Sequence, residues 1–374
     1  MRTFAEERTA TNTEIVFAQA LKTGSTRMKA VIFDSFGTTP EIRDVPDPTP
    51  SPDSVVLEVK ATGICRSDWH AWMGHDATVS LPHVPGHEMA GVVVEVGGDI
   101  SNFSVGDRVT VPFACGCGRC RYCLQGHFHI CDHDFQPGFT HWGSFAQFVE
   151  IKFADINLVR LFDELDFVTA ASLGCRFSTA YRAIARQANV AENSWLAIHG
   201  CGGLGLSALM IAKVLGARVV AVDIEASRLR LAEQLGADAT VNAKFEELVA
   251  DRIIEITWGG ADASLDALGS QVTATNSISC LRKQGRHIQA GLLLGDQADP
   301  PLPMGRVISR ELQILGSHGM PAGDYPELLQ LVHSGQLNPG ILVHKRIPLS
   351  EAPAALVAMG TFASVGVTVI DDYA

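Results

Sequence analysis

No apolar stretch of this sequence approaches the ~20 residues needed to cross a bilayer, so a membrane-embedded chain is not expected. Positive charge is scarce beside negative: 29 Lys and Arg against 41 Asp and Glu give a formal net charge of −12. Such a chain repels phosphate backbones and anionic lipid heads, which makes nucleic acid and membranes poor partners. Internal repeats and low-complexity tracts are absent as well. A convincing secretion signal is also missing. Residues 1–27 are polar, of mixed charge and without a clear period, and Glu6, Glu7 and Glu14 do not suit a mitochondrial presequence. The expectation is a cytoplasmic protein whose folded part begins near Met28, with residues 1–27 a flexible extension.

What is present begins with size. At roughly 100–200 residues per domain, 374 residues suggest two domains. Hydrophobic residues at 47% are ordinary for a soluble globular chain. The nine cysteines are unevenly placed, five of them between Cys115 and Cys131. A disulfide scaffold belongs to short secreted chains, so clustered metal ligands are the better reading.

From residue 28 to about 177 short β-like runs alternate with glycine turns. Val55–Val59 and Ala90–Val96 are two, with Gly97-Gly98 and Gly106-Asp107 between or after them. Closely spaced strands of this kind suggest a barrel-like β domain. After residue 177 strands and helices alternate. Strands are expected at Trp195–His199, Arg218–Val222, Ala239–Asn242, Ala263–Leu268, His287–Leu292 and Leu312–Leu315. This predicts a parallel sheet with helices on both faces over 178–318. A helix at Tyr325–Val332 and a strand at Val365–Ile370 follow, and residues 319–374 are expected to return to the first domain.

Gly200-Cys201-Gly202-Gly203-Leu204-Gly205 contains GxGxxG between an apolar strand and a helix. Glycines there permit a tight turn and close approach to a pyrophosphate, which the helix N-terminus attracts. Asp223 ends the next strand, 18 residues after Gly205. A carboxylate there accepts hydrogen bonds from ribose hydroxyls and repels a 2′-phosphate, favouring NAD over NADP. Arg228 and Arg230 pull the other way, because arginine can bind a 2′-phosphate. A packing turn and a strand-end cap are the plain alternatives.

Cys117, Cys120, Cys123 and Cys131 read C-x2-C-x2-C-x7-C. Four thiolates in one loop can close a tetrahedron around Zn²⁺, leaving no open position, so this zinc is expected to be structural. Cys115 is a spare, and His127 and His129 are alternative ligands. Three further candidates lie far apart: Cys65 before Arg66-Ser67-Asp68, His87 in Gly86-His87-Glu88, and Cys175 in Leu173-Gly174-Cys175. Two thiolates and an imidazole would leave a fourth position for substrate, but spacing alone does not show that the three converge.

Taken in order, these motifs from Met28 to the C-terminus make the chain resemble the zinc-dependent medium-chain alcohol dehydrogenases. The resemblance implies a GroES-like β-barrel catalytic domain over 28–177 and 319–374, and a Rossmann NAD-binding domain over 178–318. It implies a catalytic zinc on Cys65, His87 and Cys175, with Glu88 behind it. Ser67 would take the alcohol's proton and His70 would pass it towards solvent by way of the cofactor ribose. Arg66 would pair with the pyrophosphate, and Thr179, Leu204 and Leu292 would pack near the nicotinamide. By the same resemblance, the alcohol oxygen is polarised at the open zinc position and hydride leaves carbon for NAD, giving an aldehyde or ketone.

Each role has a plainer competitor: a surface histidine for His70, a solvated charge for Arg66, a buried arginine partner for Glu88, a turn hydroxyl for Ser67. Unlike some relatives, the last strand offers no basic residue for pyrophosphate. Only eleven residues separate Cys131 from Gly143, as in microbial members, so a homotetramer or homodimer is expected.

Family offset places Trp69, Trp72, Phe113, Trp142, Leu292 and Met320 around the substrate. Their character favours an apolar or aromatic alcohol. The alternatives are a polyol or amino-alcohol dehydrogenase, or a zinc protein that binds nucleotide without catalysis.

Overall fold

The computed structural model describes residues 27–361 and 366–374. The expected N-terminal extension thus lies outside the described residues, apart from Arg27, which opens the first strand.

The first part of the chain carries β1 (Arg27–Ile32), β2 (Glu41–Pro46), β3 (Ser54–Ile64), β4 (Glu88–Val96), β5 (Arg108–Thr110), β6 (Phe148–Lys152) and β7 (Val159–Arg160). β1 and β2 form an antiparallel hairpin. β3 is the organising strand of the next sheet: it pairs antiparallel with β4 along one edge and with β6 over its first half. Its sequence SVVLEVKATGI is rich in β-branched residues, and Val55, Leu57 and Val59 are buried in one cluster with Met89 and Val93 of β4.

Six parallel strands follow: β8 (Trp195–His199), β9 (Arg218–Asp223), β10 (Ala239–Asn242), β11 (Ala261–Asp266), β12 (Leu281–Gln289) and β13 (Gln313–Gly316), in the order β10-β9-β8-β11-β12-β13. Helices Gly203–Val214, Ala226–Gln234, Val249–Ile256, Gln271–Ser279 and Met304–Arg310 connect them. Alternate side chains of the central strands enter opposite cores. Leu196 and Ile198 of β8 pack in one cluster, and Ala197 packs in the other with Val220 and Val241. A sheet covered on both faces is what a parallel arrangement requires. The order reverses between β8 and β11, and this switch point opens a crevice at the strands' carboxyl ends.

β14 (Val343–Pro348) and β15 (Val367–Asp372) then rejoin the first part, β15 pairing antiparallel with β3 through Thr368–Ile64, Val369–Gly63 and Ile370–Thr62. β12 differs most from the sequence expectation, while the bounds of β9, β11 and β13 shift by one or two residues. β12 begins at Leu281 rather than His287, through the polar run Arg282-Lys283-Gln284, where Gln284 takes a positive φ of 60°. Among the described residues no helix is long and apolar enough to cross a membrane.

Candidate active site and metal centres

The β3–β4 ladder builds the first candidate metal cluster. Gly63 pairs with Glu88, so Cys65, two residues beyond Gly63, and His87, one before Glu88, meet at the same sheet end. Gly86, at φ 105°, turns the chain into His87. A side chain there would strike Phe145 at 2.5 Å. Cys175 arrives from the helical run after Ser172, where Gly174 breaks helical geometry at ψ −130°. The ligand atoms of Cys65, His87, Glu88 and Cys175 all lie within 4.8 Å of one another.

The polar surroundings suit a cation. His87 is fully buried, and its Nδ1 lies 2.7 Å from Asp68 Oδ1. Its Nε2 has no hydrogen-bonding oxygen or nitrogen and lies among the thiols. Asp68 also accepts from the N–H groups of Cys65 at 2.8 Å and Gly86 at 3.0 Å. Burial opposes charge on His87, but Asp68 and Cys65 outweigh it and raise its pKa. Hydrogen bonding to Cys175 pushes the Cys65 thiol down, with Arg176 assisting, and the Cys175 thiol goes up in exchange. The residues therefore fit zinc: two thiols sharing negative charge, and an imidazole whose free nitrogen is aimed and whose other nitrogen is anchored.

Glu88 pairs with Arg176, the competing reading of that residue. Arg176 Nε lies 3.0 Å from Glu88 Oε1, and its Nη2 reaches Oε2. Room for Glu88 comes from Gly63 and Gly174, where an added Cβ would meet it at 2.3 and 2.7 Å. Arg176 also donates to Ile64 O at 3.2 Å, and its stem fills the space a Cβ on Gly203 would need. It thus links the metal cluster to the glycine turn.

That cluster opens into a cavity of about 320 Å³. Gly200, Gly202, Gly203, Leu204, Asp223 and Leu292 line it from the carboxyl ends of β8, β9 and β12, and Thr179 and Arg66 line it from the other side. A Cβ on Gly205 would stand 1.8 Å from Gly200 O, so that glycine closes the turn, whereas one on Gly202 would meet nothing within 4 Å and points to open space. A nucleotide pyrophosphate fits this cradle at the start of the helix Gly203–Val214. Asp223 accepts from Cys201 N–H at 2.7 Å and Glu225 N–H at 2.9 Å, and Arg228 sits 3.8 Å from its Oδ2. Arg66 donates to Met359 O and stacks 3.9 Å from the Trp69 ring centroid.

Ser67 and His70, three residues apart on the helix Arg66–Trp72, line the cavity together. Cys65 Sγ is 3.7 Å from Ser67 Oγ. Burial, then Arg66 and His75, push the His70 pKa down to about 4.

Four expected substrate contacts lie elsewhere. Trp69 covers Gly360 and stacks with Arg66. Trp72 is buried with Phe33 and Leu356, its Nε1 donating to Thr38 O at 2.5 Å. Trp142 donates to Pro82 O at 3.0 Å and lines a second cavity. Met320 is fully buried in the large core cluster beneath β8. The helix places Ser67 and His70 towards the cavity, which turns Trp69 and Trp72 away. Phe113 does line the cavity, against Gly319, where a Cβ would stand 2.9 Å from its ring. His318 packs on Phe113 and Phe139 on His87, and Gln136 and Leu294 also line the cavity. No sequence signal singled out His318, Phe139, Gln136, Leu294 or Asp68, whereas Arg176 is the buried arginine partner that the plainer reading of Glu88 calls for.

The second cluster is Cys117, Cys120, Cys123 and Cys131, with sulfurs within 4.8 Å of one another. Backbone N–H groups aim at them: Cys117 and His133 at Cys131 Sγ, both 3.2 Å, and Cys123 at Cys120 Sγ, 3.5 Å. The Cys123 N–H is the leading cause that lowers Cys120 to about 6. Donors aimed at sulfur stabilise thiolates, so the loop fits a closed zinc site. Asn157 clamps the loop by two 2.9 Å bonds to Gly116. Cys115 stays outside, buried and pushed far up by desolvation.

Residues 203–334 match the family described as Zinc-binding dehydrogenase, and residues 51–160 match the Alcohol dehydrogenase GroES-like domain. The NAD-dependent alcohol dehydrogenase of Sulfurisphaera tokodaii is 33% identical over 351 residues, 91% of this chain and 98% of that protein. The D-arabitol-phosphate dehydrogenase of Enterococcus avium is 35% identical over 82% of this chain and 87% of its own. The solved alcohol dehydrogenase of Thermus sp. ATN1 superposes with a TM-score of 0.84 at 29% identity, covering 92% of this chain and all of that one.

Proposed function

The chain belongs to the zinc-dependent medium-chain alcohol dehydrogenases, and from that premise we propose that Cys65, His87 and Cys175 hold the catalytic zinc while Ser67 and His70 carry the alcohol's proton. The protein is an oxidoreductase using zinc and a nicotinamide cofactor, with an alcohol giving an aldehyde or ketone. The observation that carries the site assignment is the buried His87 Nε2, without an oxygen or nitrogen partner beside the two thiols. Bound zinc supplies positive charge to the alcohol oxygen, and bound NAD supplies the hydride acceptor.

The chain's own residues do the rest. Asp68 anchors the His87 ring through Nδ1, which leaves Nε2 as the nitrogen that would take a bound metal. Glu88 and Arg176 form a buried ion pair behind the ligands. Ser67 is close enough to the cluster to take a proton from the substrate oxygen, and His70 receives it on the outward side. The low pKa keeps His70 neutral, hence a proton acceptor, at any pH well above about 4. Arg66 provides positive charge for the cofactor phosphates, and Thr179, Leu204 and Leu292 pack its nicotinamide half. Asp223 selects NAD over NADP through ribose hydroxyls, and Arg228 beside it is held by the same carboxylate. The four-cysteine loop is proposed to hold a structural zinc.

Phe113, Phe139 and Leu294 give the substrate wall an apolar character, favouring primary or aromatic alcohols. Gln136 and His318 in the same cavity favour the second reading, a polyol substrate, as does the similarity to a D-arabitol-phosphate dehydrogenase. A panel of alcohols followed by NADH absorbance decides: faster turnover of sorbitol than of aromatic alcohols would reject the first reading. Metal analysis tests the site. Two zincs per chain are expected, and Cys65→Ala should lose one together with turnover while keeping the fold. We further propose a homodimer or homotetramer, since β13 leaves an open edge on the six-stranded sheet; sedimentation measures it.

A further inference from the structure

The helix Arg66–Trp72 ends in a turn that brings a second histidine onto His70. Met73 N–H donates to Trp69 O at 2.9 Å and Gly74 N–H to Ala71 O at 3.1 Å. Gly74, at φ 75° and packed on Phe36, reverses the chain in a conformation that favours glycine. His75 N–H then donates to His70 O at 3.0 Å, and the two rings meet with Nδ1 facing Nδ1, also at 3.0 Å. Trp69 holds both rings edge-on, at centroid distances of 5.0 Å to His70 and 5.6 Å to His75. His70 is half-buried, His75 is exposed, and both line the cavity.

Two nitrogens at 3.0 Å share one proton, since a neutral imidazole has one donor and one acceptor nitrogen. We propose that His75 is the next proton carrier after His70, taking a proton from His70 Nδ1 and releasing one from its own Nε2 to solvent. The inference rests on the reading of His70 given above.

In alcohol oxidation His70 begins with its proton on Nδ1 and gains one on Nε2 from the substrate side. The Nδ1 proton crosses to His75 Nδ1, leaving His70 neutral with its proton on Nε2. His75, now an imidazolium, loses its Nε2 proton to water. One proton enters, one leaves, and no electrons move. Proton exchange with water between turnovers restores the starting tautomers, and carbonyl reduction runs the transfer backwards. Among the described residues, Arg66 and Cys65 act on His70 from the helix start, and Asp76 on the following loop lines the same cavity. Burial and Arg66 make a second proton on His70 costly, so an acceptor at hydrogen-bond distance gives it an exit.

The test compares the parent zinc-loaded enzyme with His75→Asn, His75→Phe and His70→Gln in single-turnover NADH formation across pH. Asparagine can still accept a hydrogen bond from His70 but cannot relay a proton. Both His75 variants should be slowed about tenfold near neutral pH, less than the ~100-fold typical for loss of a proton-transfer group itself. They should converge on the parent rate in alkaline buffer and recover with added imidazole. A parent-like Asn variant beside a slow Phe variant would mean that His75 only positions His70, overturning the proposal. Parent-like rates for both beside a slow His70→Gln would mean that protons leave His70 directly, which overturns this inference alone. A parent-like His70→Gln would overturn the reading of His70 as well. Imidazole ¹⁵N spectra of the unaltered protein give a readout free of turnover: one Nδ1 of the pair protonated, the other not, with the shared proton's signal lost in His75→Phe. Two unprotonated Nδ1 atoms would also defeat it.

Discussion

Asp68 accepts from the Cys65 N–H, the Gly86 N–H and His87 Nδ1 at once, joining three segments that the proposed zinc ligands need together. It is fully buried, so its charge is balanced by these partners rather than by water. Asp68→Asn keeps the size but removes the charge that makes His87 a strong ligand. The expected result is a 10–100-fold loss of zinc affinity at the catalytic cluster, the typical cost of losing such a support. Competition with a chromophoric chelator measures it, and the four-cysteine zinc serves as the internal control. Equal resistance of both zincs to chelator in the variant would refute the role. Cys65, His87 and Cys175 could be grouped from the sequence only through the family resemblance, since their spacing does not bring them together; the fold sets their ligand atoms within 4.8 Å of one another. Asp68 was not legible, because an aspartate three residues after Cys65 reads equally well as a helix-start cap. Indeed it fills that cap position too, accepting from the Cys65 N–H.

At the scale of elements, legibility followed burial. The apolar run Trp195–His199 is a strand with the expected bounds, because a strand covered on both faces is apolar throughout; the edge strand Ala239–Asn242, only partly buried, also has the expected bounds. β12 was less legible, since Arg282, Lys283 and Gln284 at its start are exposed. The substrate wall was least so: an offset along a chain does not say which face of a helix reaches a cavity, and Trp69 and Trp72 lie on the wrong one. The four-cysteine loop is an element of another kind, proposed to be held by zinc as well as by packing. Its own apolar cluster contains Cys117, Cys123 and Cys131, with Phe128 and Phe153 against them. Cys117→Ser should therefore remove one of two zincs and expose residues 115–135 to protease. The melting temperature should fall on the order of 10 °C, from several kcal/mol lost at ~2–4 °C per kcal/mol. Zinc counting, limited proteolysis and a thermal scan check this. NADH binding at the separate cavity should survive in the folded variant, and its loss at low temperature would count against a purely structural role.

For the whole molecule, the cavity exists because the chain returns. β15 pairs with β3 beside Cys65, and β8, β9 and β12 bring their carboxyl ends to the same space. Alternation in the sequence implied two folding units, but the strand order and the placement of the cavity depend on long-range pairing that no local pattern encodes. The same assembly also buries histidines so deeply that desolvation dominates their titration. Burial, with His287 adding to it, pushes His199 down to about 3, and burial, with Lys152 adding, pushes His141 to about 4. In the unfolded chain both return to about 6.5. Between roughly pH 6.5 and 4 the unfolded state therefore binds protons that the folded state refuses, so stability is fully present above this window and falls as pH drops through it. For the fully buried His199 the slope approaches about 1.4 kcal/mol per pH unit. Acid also releases thiolate-bound metal, so a fall in melting temperature alone does not isolate the histidines. The discriminating measurement is a difference: His199→Gln cannot bind the extra proton when unfolded. Its melting temperature is expected to drop less than the parent's on going from neutral pH to about 5, whatever its starting value. Parallel pH profiles for the two proteins would show that His199 does not set the acid limit.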